Sequence, residues 1–572
     1  MIDLLLIHCE SGISPLDMEY FLPPIGLVGL SSFLNANGLR SRIIDCRSPK
    51  FSMRQLANFL AEEKPRWIGI DVLSDTVFTA MRLVRIVRAL SPDSRVVLGG
   101  PHATLASEAL MREAMPDALV IGEGEIACLD LLKKRRLSEV RGIMRMSRNR
   151  IVRNEMPKPI DLDELPSPDY STVLDSEVIP YAPALATARG CPYRCTFCAA
   201  PLLSSKIRWR SPGKIAADID AIFSSKGRKL PFLTIADDTF TFDLARTAAV
   251  CDAIKQVGGG SKFIWYAEAR IDRIAHDPSV LAVMKAAGLR FLQLGIESGD
   301  ERVLAAYRKG ITLDQARRVC SACADLELLY HAGFIVGGPF ESPATLNSTR
   351  DLMSRLAKDS KGFLQLNFTF MTPLPGTEIF MHPDRYGIEM LDPELYTSVS
   401  FDNCVTRTAE MSRAQIFRAR FDMFTESFEM MRAALASGGE RTKRAIDAIR
   451  ANVGHFHKSM ILLEEGLMEK MKKIQTEILR QKAEKFAEYR LEAGDGWRHL
   501  MPTRLPAFGM SEDGLYAFEG VLMDAEESSI FHYSTGKLSG SDIASHLGFD
   551  DERMKAALGR LEQRKAIVYR TF

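Results

Sequence analysis

This sequence has no long apolar run and no excess of charge of either sign. No stretch approaches the roughly 18 consecutive apolar residues of a membrane-spanning helix, and the first residues lack the basic region and small-residue cleavage site of a signal peptide. Lysine and arginine number 74 against 73 aspartate and glutamate, for a formal net charge of +1. These absences predict a cytoplasmic protein without a membrane span, and they give no sign of a nucleic-acid partner.

Histidine is also scarce, at 10 in 572 residues. Seven of the ten cysteines are scattered, and cysteines of a cytoplasmic chain are not expected to form disulfides. The other three, Cys191, Cys195 and Cys198, stand together in the run Thr187-Ala-Arg-Gly-Cys-Pro-Tyr-Arg-Cys-Thr-Phe-Cys198. A structural zinc site normally takes a fourth cysteine or histidine nearby, and the nearest histidines are the distant His102 and His276.

Three thiolates at C-x3-C-x2-C spacing suit an iron–sulfur cluster better than a zinc site or a chance group of buried cysteines. A cubane cluster held by four cysteines has no open iron, whereas three cysteines leave one iron free to bind a substrate or cofactor. With Phe197 directly before the third cysteine, the motif resembles the signature of the radical S-adenosylmethionine (SAM) superfamily. The resemblance implies a [4Fe-4S] cluster on Cys191, Cys195 and Cys198 whose open iron chelates SAM, with Phe197 at the SAM site.

Residues 1 to about 140 alternate short apolar runs with amphipathic segments. Five candidate strands in this region are Asp3–His8, Ser41–Asp45, Trp67–Asp71, Arg95–Gly99 and Ala118–Ile121. Strands of this length separated by helical patterns predict an α/β fold with a doubly wound, Rossmann-like sheet, which binds ligands at the carboxyl ends of its strands.

Small and turn-forming residues follow three of these strands: Ser74, Asp75, Thr76, Gly99, Gly100, Pro101, His102, Gly122, Glu123 and Gly124. With Pro23-Pro-Ile-Gly26-Leu27 they resemble the domain that precedes the radical SAM barrel in one large subgroup, which implies that they bind cobalamin. His8-Cys-Glu-Ser-Gly12 stands in place of the D-x-H-x-x-G of methionine-synthase-type domains, so the resemblance predicts no histidine ligand beneath cobalt. A Rossmann-like sheet without a cofactor is the alternative.

Four prolines between Met156 and Pro168 predict a linker over residues 141–180. The alternation of strands and helices resumes over residues 181–385. Six candidate strands there are Ala184–Thr187, Phe232–Ala236, Phe263–Ala267, Phe291–Gly295, His331–Val336 and Gln365–Phe370. They fit the partial (β/α)6 barrel that the resemblance implies.

Charged side chains follow three of these strands. Asp237 and Asp238 come after the second, Glu268 and Arg270 after the third, and Glu297 after the fourth. In parallel barrels the reactive groups lie at the carboxyl ends of the strands. The resemblance implies that these five residues bind SAM, with Asp237 and Asp238 near its amino group and the other residues suited to its ribose hydroxyls and carboxylate.

The rest of the chain predicts helices and a small terminal domain. Residues 386–505 predict amphipathic helices packed on the barrel, with a partner-binding coiled coil over the Lys- and Glu-rich stretch 441–490 as the alternative. Residues 506–572 have winged-helix order and resemble the leader-peptide recognition element of peptide-modifying enzymes; a structural cap or a lid is the alternative, and acidic residues disfavour DNA binding. The pair Cys320 and Cys323 predicts a buried helix face rather than a second cluster.

The resemblance implies an enzyme that cleaves SAM reductively with an electron from an external donor of flavodoxin or ferredoxin type. With cobalamin between the two domains, the leading interpretation is methyl transfer to a carbon of a natural-product, amino-acid or peptide substrate. Three alternatives remain: cobalamin-assisted cyclisation or ring rearrangement, polar methyl transfer with SAM only as methyl donor, and a sensor without turnover. The sequence identifies no catalytic residue and no substrate.

Overall fold

A computed structural model describes residues 2–9, 24–48, 51, 53–174, 181–225, 230–391, 404–453, 501–504, 509–510, 516–518, 521–534, 538–564 and 566–570. The predicted residues 10–12 after the first strand, Pro23, and most of the charged stretch 441–490 lie outside these ranges. Within the described ranges, no helix is long and apolar enough to cross a membrane.

The first 153 residues build a seven-stranded sheet of order β2-β1-β3-β4-β5-β6-β7. Its strands are β1 Leu4–His8, β2 Ser41–Asp45, β3 Trp67–Asp71, β4 Arg95–Gly99, β5 Ala118–Val120, β6 Ile143–Ser147 and β7 Arg150–Arg153. Its helices are α1 Ile25–Ala36, α2 Met53–Glu63, α3 Val77–Leu90, α4 Pro101–Leu105, α5 Ser107–Ala114 and α6 Gly124–Lys133. Strands β1 to β5 are parallel, and the last two are antiparallel.

The five parallel strands are those that the sequence predicts. Their apolar runs are buried because helices cover both faces of the sheet, with separate clusters of buried side chains on its two sides. The sheet continues through β6 and β7 into the stretch where the sequence predicts a linker. Gly142, with φ +71°, turns the chain into β6 so that it runs back along β5.

A second sheet of six parallel strands has the order β15-β14-β13-β12-β11-β8. Its strands are β8 Ala184–Leu185, β11 Phe232–Ile235, β12 Ile264–Ala269, β13 Leu289–Glu297, β14 Leu329–Val336 and β15 Leu364–Phe370. A two-stranded ribbon of β9 Ala188–Arg189 and β10 Arg208–Trp209 lies beside it. Because the six strands follow chain order and the first does not pair with the last, this is the predicted partial (β/α)6 barrel.

Helices connect the strands of this barrel. They are α7 Ala200–Leu203, α8 Pro212–Ser224, α9 Leu244–Gln256, α10 Ile271–His276, α11 Val280–Ala286, α12 Glu301–Ala306, α13 Leu313–Asp325, α14 Pro343–Asp359 and α15 Glu378–Met381. Cys320 and Cys323 lie buried in α13, as the sequence predicts for a helix face.

The barrel is followed by the antiparallel pair β16 Ile388–Met390 and β17 Thr406–Thr408, then by α16 Arg413–Val453. Helix α16 packs on β15 and α14 and kinks at Gly439, whose φ is +70°. This agrees with the prediction of amphipathic helices packed on the barrel, as far as residue 453.

The final described elements are four short strands, three helices and a last strand. They are β18 Met501–Arg504, β19 Gly509–Met510, β20 Tyr516–Phe518, β21 Val521–Leu522, α17 Ala525–Tyr533, α18 Gly540–Leu547, α19 Asp551–Gln563 and β22 Ile567–Arg570. Strand β22 pairs antiparallel with β18, and β20 pairs antiparallel with β21. Arg82 of α3 donates to Asp542 of α18 across 2.9 Å, which joins this unit to the first domain.

Candidate active site

The three cysteines lie on one loop that leaves the β9 strand at Gly190. Gly190 has φ +96°, and a Cβ there would lie 2.4 Å from the Lys206 carbonyl oxygen and 2.7 Å from Ser204 Oγ. Only glycine fits this close approach. The Cys191 amide donates to the Ser204 carbonyl across 3.0 Å, so the start of the loop is fixed against its returning end.

The middle of the loop is tied to the far side of the barrel mouth. The Thr196 amide donates to the Tyr307 carbonyl across 3.1 Å, and its hydroxyl donates to the Ala306 carbonyl across 3.0 Å. The Phe197 ring meets the Tyr307 ring edge to face, with 5.0 Å between centroids. Phe197 therefore packs in an apolar cluster with Tyr307, which holds the loop between Cys195 and Cys198.

The cysteine thiols are free, and Cys195 and Cys198 are half-buried. Burial, together with the neighbouring cysteines and Asp238, raises the pKa of Cys198 to about 11. Among the described residues, no three Cys, His, Asp or Glu side chains converge on one point to hold a single metal ion. The loop suits a cluster, in which each thiolate binds a separate iron.

Arg270 connects this loop to the end of β12. Its Nη1 lies 3.7 Å from Cys195 Sγ, and its guanidinium lies 3.6 Å from the centroid of the Tyr193 ring. Its Nε donates to Asp272 across 2.8 Å, and its other terminal nitrogen donates to the Lys309 carbonyl. The guanidinium is thus fixed beside a cluster ligand from three directions.

Asp237 and Asp238 stand side by side but face different surroundings. Asp237 is buried, and its carboxylate accepts from the Thr187 amide at 2.6 Å, the Thr187 hydroxyl at 2.5 Å and the Ala188 amide at 2.9 Å. Burial raises its pKa to about 6. Asp238 is accessible, and desolvation in its recess raises its pKa. Asp238 is thus open to a ligand, whereas Asp237 holds the strand that leads to the cysteines.

Glu268 and Glu297 end the next two strands of the same edge. Glu268 is accessible in a recess: desolvation raises its pKa, Tyr266 donates to it across 3.2 Å, and Asp238 and Glu297 lie close enough to raise that pKa further. Glu297, at φ +72°, pairs with the buried Lys309 at 2.6 Å. The sheet register shifts just before Glu297, and such a bulge re-aims a side chain.

Gly295 makes room for this ion pair. A Cβ at Gly295 would lie 2.3 Å from Glu297 Oε1 and 2.7 Å from Lys309 Nζ. Sequence reasoning selected Glu297 but missed Lys309. Lys309 comes shortly after α12 and belongs to no recognisable sequence motif. Only the fold brings it to the end of β13.

A second missed residue is Glu341, which follows the run Gly337-Gly-Pro339 after β14. Its side chain is buried and accepts from the Gly337 amide and, at 3.2 Å, from the Gly338 amide. Burial raises its pKa to about 7. Glu341 fixes the turn that follows β14, at the same edge of the barrel.

The predicted cobalamin residues line the carboxyl edge of β3, β4 and β5. Ser74 Oγ lies 3.0 Å from His102 Nδ1, and burial lowers the pKa of His102 to about 4. Gly100 has φ +102°, and a Cβ there would touch the Val72 backbone at 3.0 Å. The Gly122 amide donates to Thr104 Oγ1 across 2.9 Å. Gly99, Gly100 and Gly122 carry no side chain at this edge, which suits the close approach of a large planar ligand.

The same edge carries a His–Asp pair on its other side. His8 Nδ1 lies 2.5 Å from Asp71 Oδ2, and the Cys9 amide donates to Asp71 Oδ1 across 3.1 Å. Burial lowers the pKa of His8, but the negative charge of Asp71 and its hydrogen bond to the ring more than compensate, so the pKa is raised. The pair fixes the ends of β1 and β3 relative to each other.

Two arginines of the β9–β10 ribbon join this edge to the cysteine loop. Arg189 donates to Glu125 across 2.7 Å, and Arg208 pairs with Glu123. Glu125 is only 4% exposed and begins α6 directly after Gly124. Helix α4, which follows Gly100, packs against α7, which follows Cys198. The two predicted cofactor regions therefore face each other across one junction.

Two family models match the chain: the B12 binding domain over residues 16–132 and the Radical SAM superfamily over residues 185–353. An uncharacterized methyltransferase of Pyrococcus horikoshii is 31% identical over 373 residues, which cover 63% of this chain and 78% of the relative. The anaerobic magnesium-protoporphyrin IX monomethyl ester cyclase of Rubrivivax gelatinosus is 28% identical over 396 residues, which cover 66% of this chain and 69% of the cyclase.

A solved structure has the same fold. The cobalamin-dependent S-adenosylmethionine radical enzyme OxsB, with aqua-cobalamin and S-adenosylmethionine bound, superposes with a TM-score of 0.60 at 16% identity. The superposition covers 98% of this chain and 83% of that chain. The predicted fold class, an α/β protein with a cobalamin-binding-type sheet before a radical SAM barrel, is thereby confirmed.

Proposed function

This chain belongs to the cobalamin-dependent radical SAM enzymes, and from that premise we propose that it methylates a carbon of a natural-product, amino-acid or peptide substrate. Its cofactors are a [4Fe-4S] cluster, SAM and cobalamin. When bound, the cluster supplies the electron that cleaves SAM, and cobalamin supplies a carrier for the methyl group. The relative named a methyltransferase supports this proposal.

One contact carries the proposal most strongly: the charge-assisted hydrogen bond from Arg189 to Glu125 across 2.7 Å. Arg189 lies two residues before Cys191, and Glu125 directly follows the predicted cobalamin residues Gly122–Gly124. A methyl carrier must meet the carbon that has been activated at the SAM site. A junction that fixes one cofactor edge against the other meets that requirement.

The barrel residues divide the work of holding SAM beside the cluster. Cys191, Cys195 and Cys198 bind three irons, and Asp238 and Glu268 offer accessible carboxylates to the cationic and hydroxyl groups of SAM. Arg270 fixes the Cys195 sulfur.

Three other residues of the barrel position these groups. Glu297 reaches the site through its bulge and is neutralised by Lys309. Asp237 is a positioning residue, because its carboxylate accepts hydrogen bonds from Thr187 and Ala188, directly before the cysteine loop.

A cyclase that uses the same cofactors is the second candidate, because a relative at 28% identity carries that name. The two functions differ in product mass. Methylation adds one methyl group in place of hydrogen, whereas cyclisation removes hydrogen and takes no carbon from SAM.

The experiment uses the reconstituted holoenzyme with SAM whose methyl group carries deuterium, and a small-molecule extract of the source cells as substrate pool. We expect a product heavier by one labelled methyl group, formed only in the presence of cobalamin. A product that has lost hydrogen and gained no label would contradict the methyltransferase proposal and favour the cyclase. A control with Cys191→Ala/Cys195→Ala/Cys198→Ala should yield neither product.

A further inference from the structure

Three aromatic rings form a continuous row from the surface of the barrel to the cysteine loop. The ring centroids of Trp209 and Phe242 are 6.5 Å apart, and those of Phe242 and Tyr193 are 5.9 Å apart. Arg270 then bridges Tyr193 and Cys195 Sγ. We call the rings of Trp209, Phe242 and Tyr193 the aromatic ladder. Its outer member, Trp209, is 40% exposed.

Arginines lie on or beside every ring of the ladder. Arg246 lies 5.6 Å from the Trp209 centroid and Arg273 lies 5.6 Å from the Phe242 centroid. Arg194, exposed, follows Tyr193 on the cysteine loop. Arg246 is held by hydrogen bonds to Thr187 and lies near Asp237 and Asp243. Arg194 is exposed and Arg273 half-buried, and neither forms an ion pair within the described part of the chain. The charges of Arg194 and Arg273 are therefore available to an anionic partner.

The register of the β9–β10 ribbon shows which way the ladder faces. Arg208 pairs with Arg189 and Trp209 pairs with Ala188 in this antiparallel ribbon. Neighbouring side chains of a strand point to opposite faces. Because Arg208 and Arg189 contact the cobalamin-binding domain, Trp209 lies on the opposite face of the ribbon, away from that junction.

We propose that the aromatic ladder and its arginines are the docking surface for an acidic one-electron carrier protein of flavodoxin or ferredoxin type. This inference rests on the proposed function, since reductive cleavage of SAM requires an external electron. In the step, the reduced carrier loses one electron and the cluster gains it, with no bond formed or broken. Exposed aromatic and arginine side chains are typical of interface centres, and opposite charge speeds such brief encounters.

Electron-transfer complexes are small and transient, so a compact patch suffices if it brings the carrier close to the cluster. The ladder ends at a cluster ligand through Arg270. Its outer end is an indole ring stacked with a cation, which an acidic, flat protein surface can cover without displacing any part of the junction.

The test measures the dissociation constant between anaerobic, cofactor-loaded enzyme and oxidised flavodoxin, at several salt concentrations. Arg194→Glu and Trp209→Ala are each expected to raise this dissociation constant about tenfold. Arg194→Glu should also make the dissociation constant depend less steeply on salt concentration. The control is Arg355→Glu, a charge reversal at another exposed arginine, on α14, which should leave it unchanged. Iron and cobalt content should be equal in all variants.

The same proteins are then compared for 5'-deoxyadenosine formation with reduced flavodoxin and with dithionite. With limiting flavodoxin, we expect both ladder variants to form 5'-deoxyadenosine about tenfold more slowly than wild type. With dithionite, which needs no docking surface, we expect them to form it at the wild-type rate. Equal loss with both reductants, unchanged flavodoxin affinity, or equal weakening by Arg355→Glu would overturn the docking surface. So would a dimer of this chain that the ladder variants dissociate. Wild-type enzyme that binds flavodoxin through the ladder but cleaves SAM with neither reductant would instead refute the proposed function.

Discussion

Arg189 and Glu125 join two domains at the point where each presents its predicted cofactor residues. Arg189 Nη2 donates to Glu125 Oε1 across 2.7 Å, and Glu123 lies 3.6 Å from the same guanidinium. The two carboxylates raise the pKa of Arg189 against the effect of burial. Arg189 therefore keeps its charge at physiological pH, and its contacts with Glu123 and Glu125 clamp the two domains together.

Replacing Glu125 by glutamine tests this clamp. The amide keeps a hydrogen-bond acceptor but removes the charge, and charge-assisted hydrogen bonds contribute about 1.5–3 kcal/mol. We expect the affinity for hydroxocobalamin to fall about tenfold, as measured by equilibrium dialysis. Glu139→Gln, at an exposed position of the same domain, is the matched control. Equal affinities for both variants would show that the clamp does not shape the cobalamin site.

Gly190→Ala should disrupt the cysteine loop alone. The new Cβ would lie 2.4 Å from the Lys206 carbonyl oxygen, at a φ that alanine disfavours. We expect iron content after reconstitution to fall by more than half while cobalamin binding persists. Gly213→Ala is the control, because a Cβ at Gly213 has no heavy atom within 4 Å. Full iron loading of Gly190→Ala would contradict the geometry of the loop.

Lys309→Met should weaken SAM binding. It leaves the carboxylate of Glu297 buried without its partner at 2.6 Å, and removing one member of a buried ion pair is strongly destabilising. We expect the dissociation constant of SAM, measured anaerobically with the cluster loaded, to rise about tenfold.

The matched control for this change is Lys361→Met, which breaks an exposed pair with Asp325 at 2.5 Å. The double variant Glu297→Gln/Lys309→Met should be more stable than Lys309→Met. If Lys309→Met binds SAM as tightly as Lys361→Met does, the Glu297–Lys309 pair has no part in the site.

The buried Glu341 should make the free energy of unfolding depend on pH. Burial raises its folded pKa from 4.5 to about 7, so the folded state binds its proton more tightly than the unfolded state. Its contribution is fully present below its ordinary pKa and is lost as pH rises through about 7. We expect the free energy of unfolding in urea to fall between about pH 5 and 8 by on the order of 1–3 kcal/mol more in wild type than in Glu341→Gln.

Glu378 supplies the contrasting control for this experiment. Tyr386 and Arg308 lower the pKa of its largely accessible carboxylate, so its contribution is lost only as pH falls below the usual range. Glu378→Gln should leave the slope between about pH 5 and 8 as in wild type. A Glu341→Gln slope equal to that of wild type would show that Glu341 does not titrate in this range.

Much of the fold could be predicted because buried parallel strands are short apolar runs. All six barrel strands and the five parallel strands of the first sheet lie where those runs indicate. Strand β7 was missed because antiparallel edge strands alternate weakly in polarity.

The site was harder to predict where partners are distant in the chain or where neighbours differ only in direction. Asp237 and Asp238 are equivalent as letters, but in the loop that follows β11 the side chain of Asp237 is buried and that of Asp238 is exposed. Lys309 and Glu125 acquire their partners only through the fold. The sequence predicts that Asp237 contacts SAM, whereas in the structure its carboxylate accepts hydrogen bonds from Thr187 and Ala188.

With Arg189 and Glu125 in place, the cluster and cobalamin should face one shared space. Electron paramagnetic resonance of the holoenzyme, with both the cluster and cobalt in paramagnetic states, measures their proximity directly. We expect magnetic coupling that splits or broadens both signals and that weakens in Glu125→Gln. Two sharp, independent signals in wild type at full iron and cobalt loading would contradict it.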